Sequence, residues 1–140
     1  MPEPRFWIGV TRKEHVDVGI DGGFVMFAHG KRSAVQKLSP GDYFAYYAPM
    51  TIDGEPVRAF TGIGVVEAAE PQESVSERGS YWRRPARYFA AQPADVYPLL
   101  EQFSFIKDRS HWGMAFHKSL FEVSRTDFTI IADAMGVALH

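Results

Sequence analysis

Hydrophobic residues fall along this chain in short, separated runs, the pattern of a sheet interrupted by brief helices rather than of a helical bundle. Phe6-Trp7-Ile8-Gly9-Val10 is continuously apolar and reads as a buried first strand. Thr11 has the spacing of an N-cap with Glu14 three residues on, a capping box that predicts a short helix through His15 to about Gly19. Phe24 to Phe27 returns as a strand, and His29-Gly30 turns the chain. Pro40-Gly41-Asp42 is a turn signal before an aromatic strand from Tyr43 to Ala48. After a loop at Asp53-Gly54, the strand Phe60 to Val66 carries Gly62 and Gly64 at alternate positions. One face of that strand is thereby open to close approach, as in a tightly bent barrel.

Residues 67–80 are polar, rich in Glu and Ser, and are expected to form a loop. Arg84 to Phe89 reads as another strand and Asp95 to Glu101 as a short helix. Near the C-terminus Ser124 and Asp127 form a second capping pattern. Phe128, Ile131, Ala132 and Met135 then recur at i, i+3, i+4 and i+7, and Gly136 is placed to end the helix. The expectation is one α+β domain spanning 1–140, a strongly bent sheet with short helices between strands.

Composition narrows the class. The chain has 140 residues, is 46% hydrophobic and 14% aromatic, and contains no cysteine. That is a globular composition without disulfides or thiolate metal sites. No signal peptide and no membrane-length apolar run is apparent, so a cytoplasmic protein without membrane contact is expected. A net charge of −2 argues against strong nonspecific nucleic-acid binding. The positive charge is nevertheless clustered. Lys31, Arg32 and Lys37 form one group, and Arg78, Arg83, Arg84 and Arg87 another, while Glu67, Glu70 and Glu73 gather elsewhere. Each basic group reads either as a small anionic footprint or as solvated surface.

The densest chemistry lies in Gly22 to Lys31, where a twin glycine, an aromatic run and a His-Gly-Lys turn crowd together. Glycines let the backbone approach a ligand, while His and Lys add donors beside flat apolar surface. The combination suits a pocket for a flat, polar-edged ligand. Catalytic signatures are thin. His15, His29, His111, His117 and His140 lack the His-Glu-x-x-His spacing, so no metal is expected. Gly30-Lys31-Arg32-Ser33 echoes a P-loop tail, but Val25 stands at the first glycine and Arg32 at the hydroxyl position. There is no nucleophile elbow. No cofactor is expected, and enzymatic activity is not supported.

An ordered series of motifs spans nearly the whole chain. It begins with Trp7-Ile8-Gly9-Val10, Thr11, His15-Val16, Gly22-Gly23-Phe24 and His29-Gly30-Lys31. Gly41-Asp42, Tyr46-Tyr47-Ala48-Pro49 and Phe60-Thr61-Gly62-Ile63-Gly64 continue it, followed by Arg83-Arg84 and Tyr88. Ser104-Phe105-Ile106-Lys107-Asp108, Trp112-Gly113, Phe116 and Phe121-Glu122 close it. In this order they resemble the EVE domain, a member of the PUA-like superfamily related to YTH and ASCH domains. The chain departs from similar sequences at Met26, where a Gln is common, and at His117, where an Arg is common.

The resemblance implies a PUA-like β-barrel, or pseudobarrel, and kinship with YTH domains that hold a modified base in an aromatic cage. The implied partner is a nucleic acid, DNA or RNA, carrying a modified base. Trp7, Thr11, His15, Gly23, Phe24, Met26, His29, Lys31, Tyr47, Arg84, Phe105 and Trp112 are the candidate ligand-binding residues. Trp112 and Phe24 are the cage candidates, whereas Trp7 and Phe105 also read as core. Tyr46 and Tyr47 point to opposite faces of one strand, so only one reaches a pocket. Of Arg83 and Arg84, at most one faces a shared groove. The competing readings are a nuclease or small-molecule hydrolase on a PUA-like barrel, and a binder of a free nucleotide or metabolite.

Overall fold

A computed structural model describes residues 3–139. Strand β1 (Phe6–Val10) leads into helix α1 (Lys13–Gly22), strand β2 (Phe24–Val25) and the single-turn helix α2 (Arg32–Val35). Strands β3 (Tyr43–Met50), β4 (Pro56–Val66), β5 (Gln72–Ser76), β6 (Gly79–Tyr88) and β7 (Ala94–Asp95) follow. Two 3-10 segments, Tyr97–Gln102 and Arg109–Phe116, precede β8 (Leu120–Val123) and helix α3 (Arg125–Ala134).

The strands form one curled sheet in the order β2-β6-β4-β3-β1-β8, with β5 attached to β6 and β7 to β4. Among the described residues only β1 and β3 pair in parallel. A parallel pair needs a long crossover, and that crossover is the segment holding α1, β2 and α2. Everything that later builds the cleft lies in it or against it.

Both faces of the central strands are covered, which is why their sequences are continuously apolar rather than alternating. Phe6 and Ile8 of β1, with Ala45 and Tyr47 of β3, belong to a core beneath α3. Trp7, Phe44 and Tyr46 point the other way, into a core with Val16, Val25 and Val35 of the crossover. The bend in β4 rests on its glycines. A Cβ on Gly64 would lie 2.3 Å from the Arg87 carbonyl oxygen, and one on Gly62 would lie 2.9 Å from Val16 Cγ1.

The C-terminal helix follows the sequence pattern closely. Ser124 caps α3 by accepting from the Asp127 amide at 3.1 Å. Phe128, Ile131, Ala132 and Met135 are buried, and Gly136 takes a left-handed φ of 78° where the helix ends.

Four local expectations are corrected. Thr11 does not cap α1: the N-cap is Arg12, without a side-chain cap bond. Glu14 instead accepts from the Ile52 amide at 2.9 Å, drawn off by the β3–β4 turn. The helix runs on to Gly22, past the expected end at Gly19. Strand β2 stops at Val25 because the Met26 amide and carbonyl turn to the Tyr46 hydroxyl instead of a neighbouring strand. Residues 67–80 are not a loop: Gln72–Ser76 and Gly79–Tyr88 pair as a hairpin, and β6 therefore begins five residues before Arg84. Both strands of that hairpin's outer half are solvated, so no apolar alternation announces them.

Candidate functional site

One cleft of about 510 Å³ opens between α1, the segment after β2, and the β5–β6 hairpin. Its volume lies within the range of about 300–1,000 Å³ common for small-ligand sites. His15, Val18 and Gly19 line it from α1, with Val10 and Thr11 at the end of β1. Phe24 and the run Met26 to His29 form a second wall. The hairpin supplies Ser74, Arg78, Tyr81 and Arg83. Tyr46 and Ser119 complete the lining.

Buried Tyr46 and half-buried Tyr88 hold the second wall in place. Tyr46 donates to the Met26 carbonyl at 2.8 Å and accepts from the Met26 amide at 3.1 Å. Tyr88 donates to the Phe24 carbonyl at 2.9 Å. Burial pushes both hydroxyls well above the usual tyrosine range, so both remain neutral donors. Phe27 lies close to Tyr46, with ring centroids 5.3 Å apart, and a Cβ on Gly9 would come within 2.5 Å of the Phe27 ring.

The wall then enters an unusual conformation. Ala28, His29 and Gly30 have φ of 51°, 58° and 84° in succession. For the two non-glycine residues the left-handed region costs roughly 1–2 kcal/mol each, and such outliers persist only where their surroundings over-determine them. Here the surroundings are the Tyr46 bonds on one side and Tyr81 on the other. A Cβ on Gly30 would meet the Tyr81 ring at 2.8 Å. The strain puts His29, exposed and with no side-chain hydrogen bond among the described residues, at the cleft margin.

Electrostatically the lining is one-sided. It contains Arg78, Arg83, His15 and His29 and no Asp or Glu. His15 Nδ1 lies 3.2 Å from Thr11 Oγ1. The Arg83 guanidinium sits over the Phe24 ring, 4.5 Å from its centroid. Among the described residues it has no hydrogen bond or ion pair. Nor do the described residues contain a group of three or more His, Asp or Glu side chains able to hold a metal ion.

Of the residues singled out in the sequence, Thr11, His15, Phe24, Met26 and His29 come together in this cleft. Gly23 sits directly behind it, in the left-handed C-cap of α1 with its amide bonded to the Gly19 carbonyl. Lys31 is exposed, just before α2 and outside the lining. The others lie elsewhere. Trp7 is core, its indole donating to buried Asp42 at 3.1 Å. Tyr47 faces the α3 side and stacks on Phe116 with centroids 4.2 Å apart; its opposite-face neighbour Tyr46 reaches the cleft. Arg84 is buried and donates to the carbonyls of Val35 and Leu38 at 3.3 and 2.7 Å; Arg83 is the one of the pair that faces the groove.

Phe105 and Trp112 line a separate, shallower groove with His111. Trp112 lies in a 3-10 segment rather than a loop, set edge-on to Tyr97 and Phe116. Ser74 lies within residues 67–80, which read as a loop, and Tyr81 lies between that stretch and the strand expected from Arg84, so neither stands out in the sequence. Strand alternation from buried Arg84 would have assigned both Arg83 and Tyr81 to the opposite face.

The fold is that of the PUA-like half-barrels. An ASCH protein from Zymomonas mobilis superposes with a TM-score of 0.57 at 10% identity, over 94% of this chain and 96% of that one. A hypothetical protein from Leishmania major does so at 0.60 with 12% identity, over 94% of each. The EVE domain model matches residues 5–134, and the chain belongs to that family. Its relatives include a UPF0310 protein of Mesorhizobium japonicum, 37% identical over 94% of this chain and 91% of the other. UPF0310 protein YdcG of Bacillus subtilis is 35% identical, over 95% and 93%. No helix among the described residues is long and apolar enough to cross a membrane.

Proposed function

We propose that this EVE domain binds a nucleic acid, DNA or RNA, by taking one modified base, turned out of its stack, into the cleft beside Phe24. The observation that carries this is an acid-free cavity with aromatic walls, Phe24 and Tyr81, and two arginines, Arg78 and Arg83, whose side chains have no hydrogen bond or ion pair among the described residues. Unstacking a base costs a few kcal/mol, and stacking on a platform returns about 1–3 kcal/mol per base. A buried methyl adds roughly 0.8 kcal/mol, so a methyl alone discriminates modestly. Sharper selectivity comes from polar groups left unpaired by the wrong base. Arg78, at the turn of the hairpin, supplies the cation for the flanking phosphate.

Fluorescence anisotropy at low salt, against short DNA and RNA strands with one unmodified, methylated or hydroxymethylated cytosine or adenine, tests this. A preference for one modified strand that is lost in Phe24→Ala supports the reading. Equal, negligible binding across the panel overturns it. A mononucleotide bound as tightly as any strand would instead mark a binder of free nucleotides.

A further inference from the structure

Phe24 is not a bare platform. The Arg83 guanidinium already covers one face of its ring at 4.5 Å, and an edge of the ring lies against Gly22, where a Cβ would come within 2.4 Å of Cε2. On that face a base meets Arg83 before it meets Phe24. Strand alternation explains why Arg83 is available. Trp82 and Arg84 face α2, where Arg32 lies over Trp82 at 4.6 Å and Arg84 is engaged by two carbonyls. Arg83 and Tyr81 face the cleft, and Arg83 is half-buried with its donors unclaimed among the described residues. A guanidinium is planar and weakly hydrated on its faces, so it stacks on one ring and can present its second face to another.

We propose that Arg83 is the stacking layer of the cleft, lying between Phe24 and the bound base. The cleft then takes neutral modified bases and rejects those that a ring-nitrogen methyl group has made cationic. This rests on the base-in-cleft reading and adds the charge class of the ligand. The reason is electrostatic. A cationic base would lie face to face with a guanidinium, near Arg78, with no carboxylate in the lining to offset the charge. An open Phe24 face would have the opposite preference, because aromatic faces attract cations.

The test is an NMR titration at low salt with nucleosides, which carry no phosphate: 5-methylcytidine and N6-methyladenosine as neutral ligands, 1-methyladenosine and 7-methylguanosine as cationic ones. The Arg83 side-chain protons, already shielded by Phe24, should move further upfield as a neutral base covers the second face. Arg83→Lys keeps the charge and loses the plane, and should bind the neutral nucleoside about five- to tenfold more weakly. The cationic nucleosides should bind at least about tenfold more weakly than the neutral ones.

Downfield movement of the Arg83 signals would mean that the base displaces Arg83 from Phe24, and would overturn the proposal. Wild-type affinity in Arg83→Lys, or preference for a cationic nucleoside, would do the same while leaving a base in the cleft. If neither nucleosides nor modified strands perturb any cleft residue, both readings fall together.

Discussion

The Tyr46 hydroxyl satisfies both backbone groups of Met26, donating to the carbonyl at 2.8 Å and accepting from the amide at 3.1 Å. One side chain from β3 thus substitutes for a strand partner at the point where the chain leaves the sheet to form the cleft wall. Tyr46→Phe keeps the packing and removes both bonds. The expected cost is about 1–2 kcal/mol in urea unfolding, since Met26 is only half-buried. On the proposed reading base affinity should fall alongside it, because the strained turn at Ala28 and His29 loses its anchor. Unchanged affinity in a folded Tyr46→Phe protein would show that the wall holds itself.

Neighbouring arginines should behave oppositely. Arg84→Ala strips the Val35 and Leu38 carbonyls of a charged donor inside the core, a loss of about 2–3 kcal/mol. Arg83→Ala removes a contact over an aromatic ring and should cost no more than about 1 kcal/mol. Thermal melts of the two variants decide this, and equal destabilisation would contradict the division of roles along β6.

Glycine substitutions separate close approach from mere flexibility. Gly64→Ala forces a Cβ to 2.3 Å from a backbone oxygen that cannot move aside, and should cost roughly 2–3 kcal/mol or block folding. Gly113→Ala meets nothing within 4 Å and has no left-handed φ. It should be neutral, or stabilising by about 0.5 kcal/mol through the unfolded state. Denaturant midpoints of both variants check the pair.

Alkaline pH should single out the desolvated tyrosines. Burial raises Tyr46 and Tyr88, and pushes Tyr47 up to about 12. In the unfolded chain each ionises near about 10. The folded state therefore holds more protons above that value, and stability present below it is lost as pH rises toward the folded values. Absorbance at the phenolate band should show these three groups silent past the ordinary tyrosine range, then ionising together with unfolding. A normal titration of all tyrosines in the native protein would refute their burial.

Much of the scaffold was legible in the chain because the signals are local. The S-x-x-D cap and 3.6-residue apolar spacing of α3 act within one turn of each other. The apolar runs of β1 and β3 mark strands covered on both faces, and the alternating glycines of β4 mark a bend. Thr11, His15, Phe24, Met26 and His29 were also within reach, since they lie in two short segments around α1.

Local signals in the chain therefore sufficed for the family, the mixed α+β class, and the half of the cleft that the crossover carries. The tertiary structure decided the other half. Whether Tyr46 or Tyr47, and Arg83 or Arg84, reaches the cleft depends on which face of each strand meets α1 and which meets α3 or α2. Alternation gives two choices and only packing selects one. The hairpin bearing Arg78 and Tyr81 has a polar outer half, so its strand character comes from the pairing itself. Trp112, conspicuous in the sequence, was drawn to a separate groove by Tyr97 and Phe116, aromatic partners distant from the cleft.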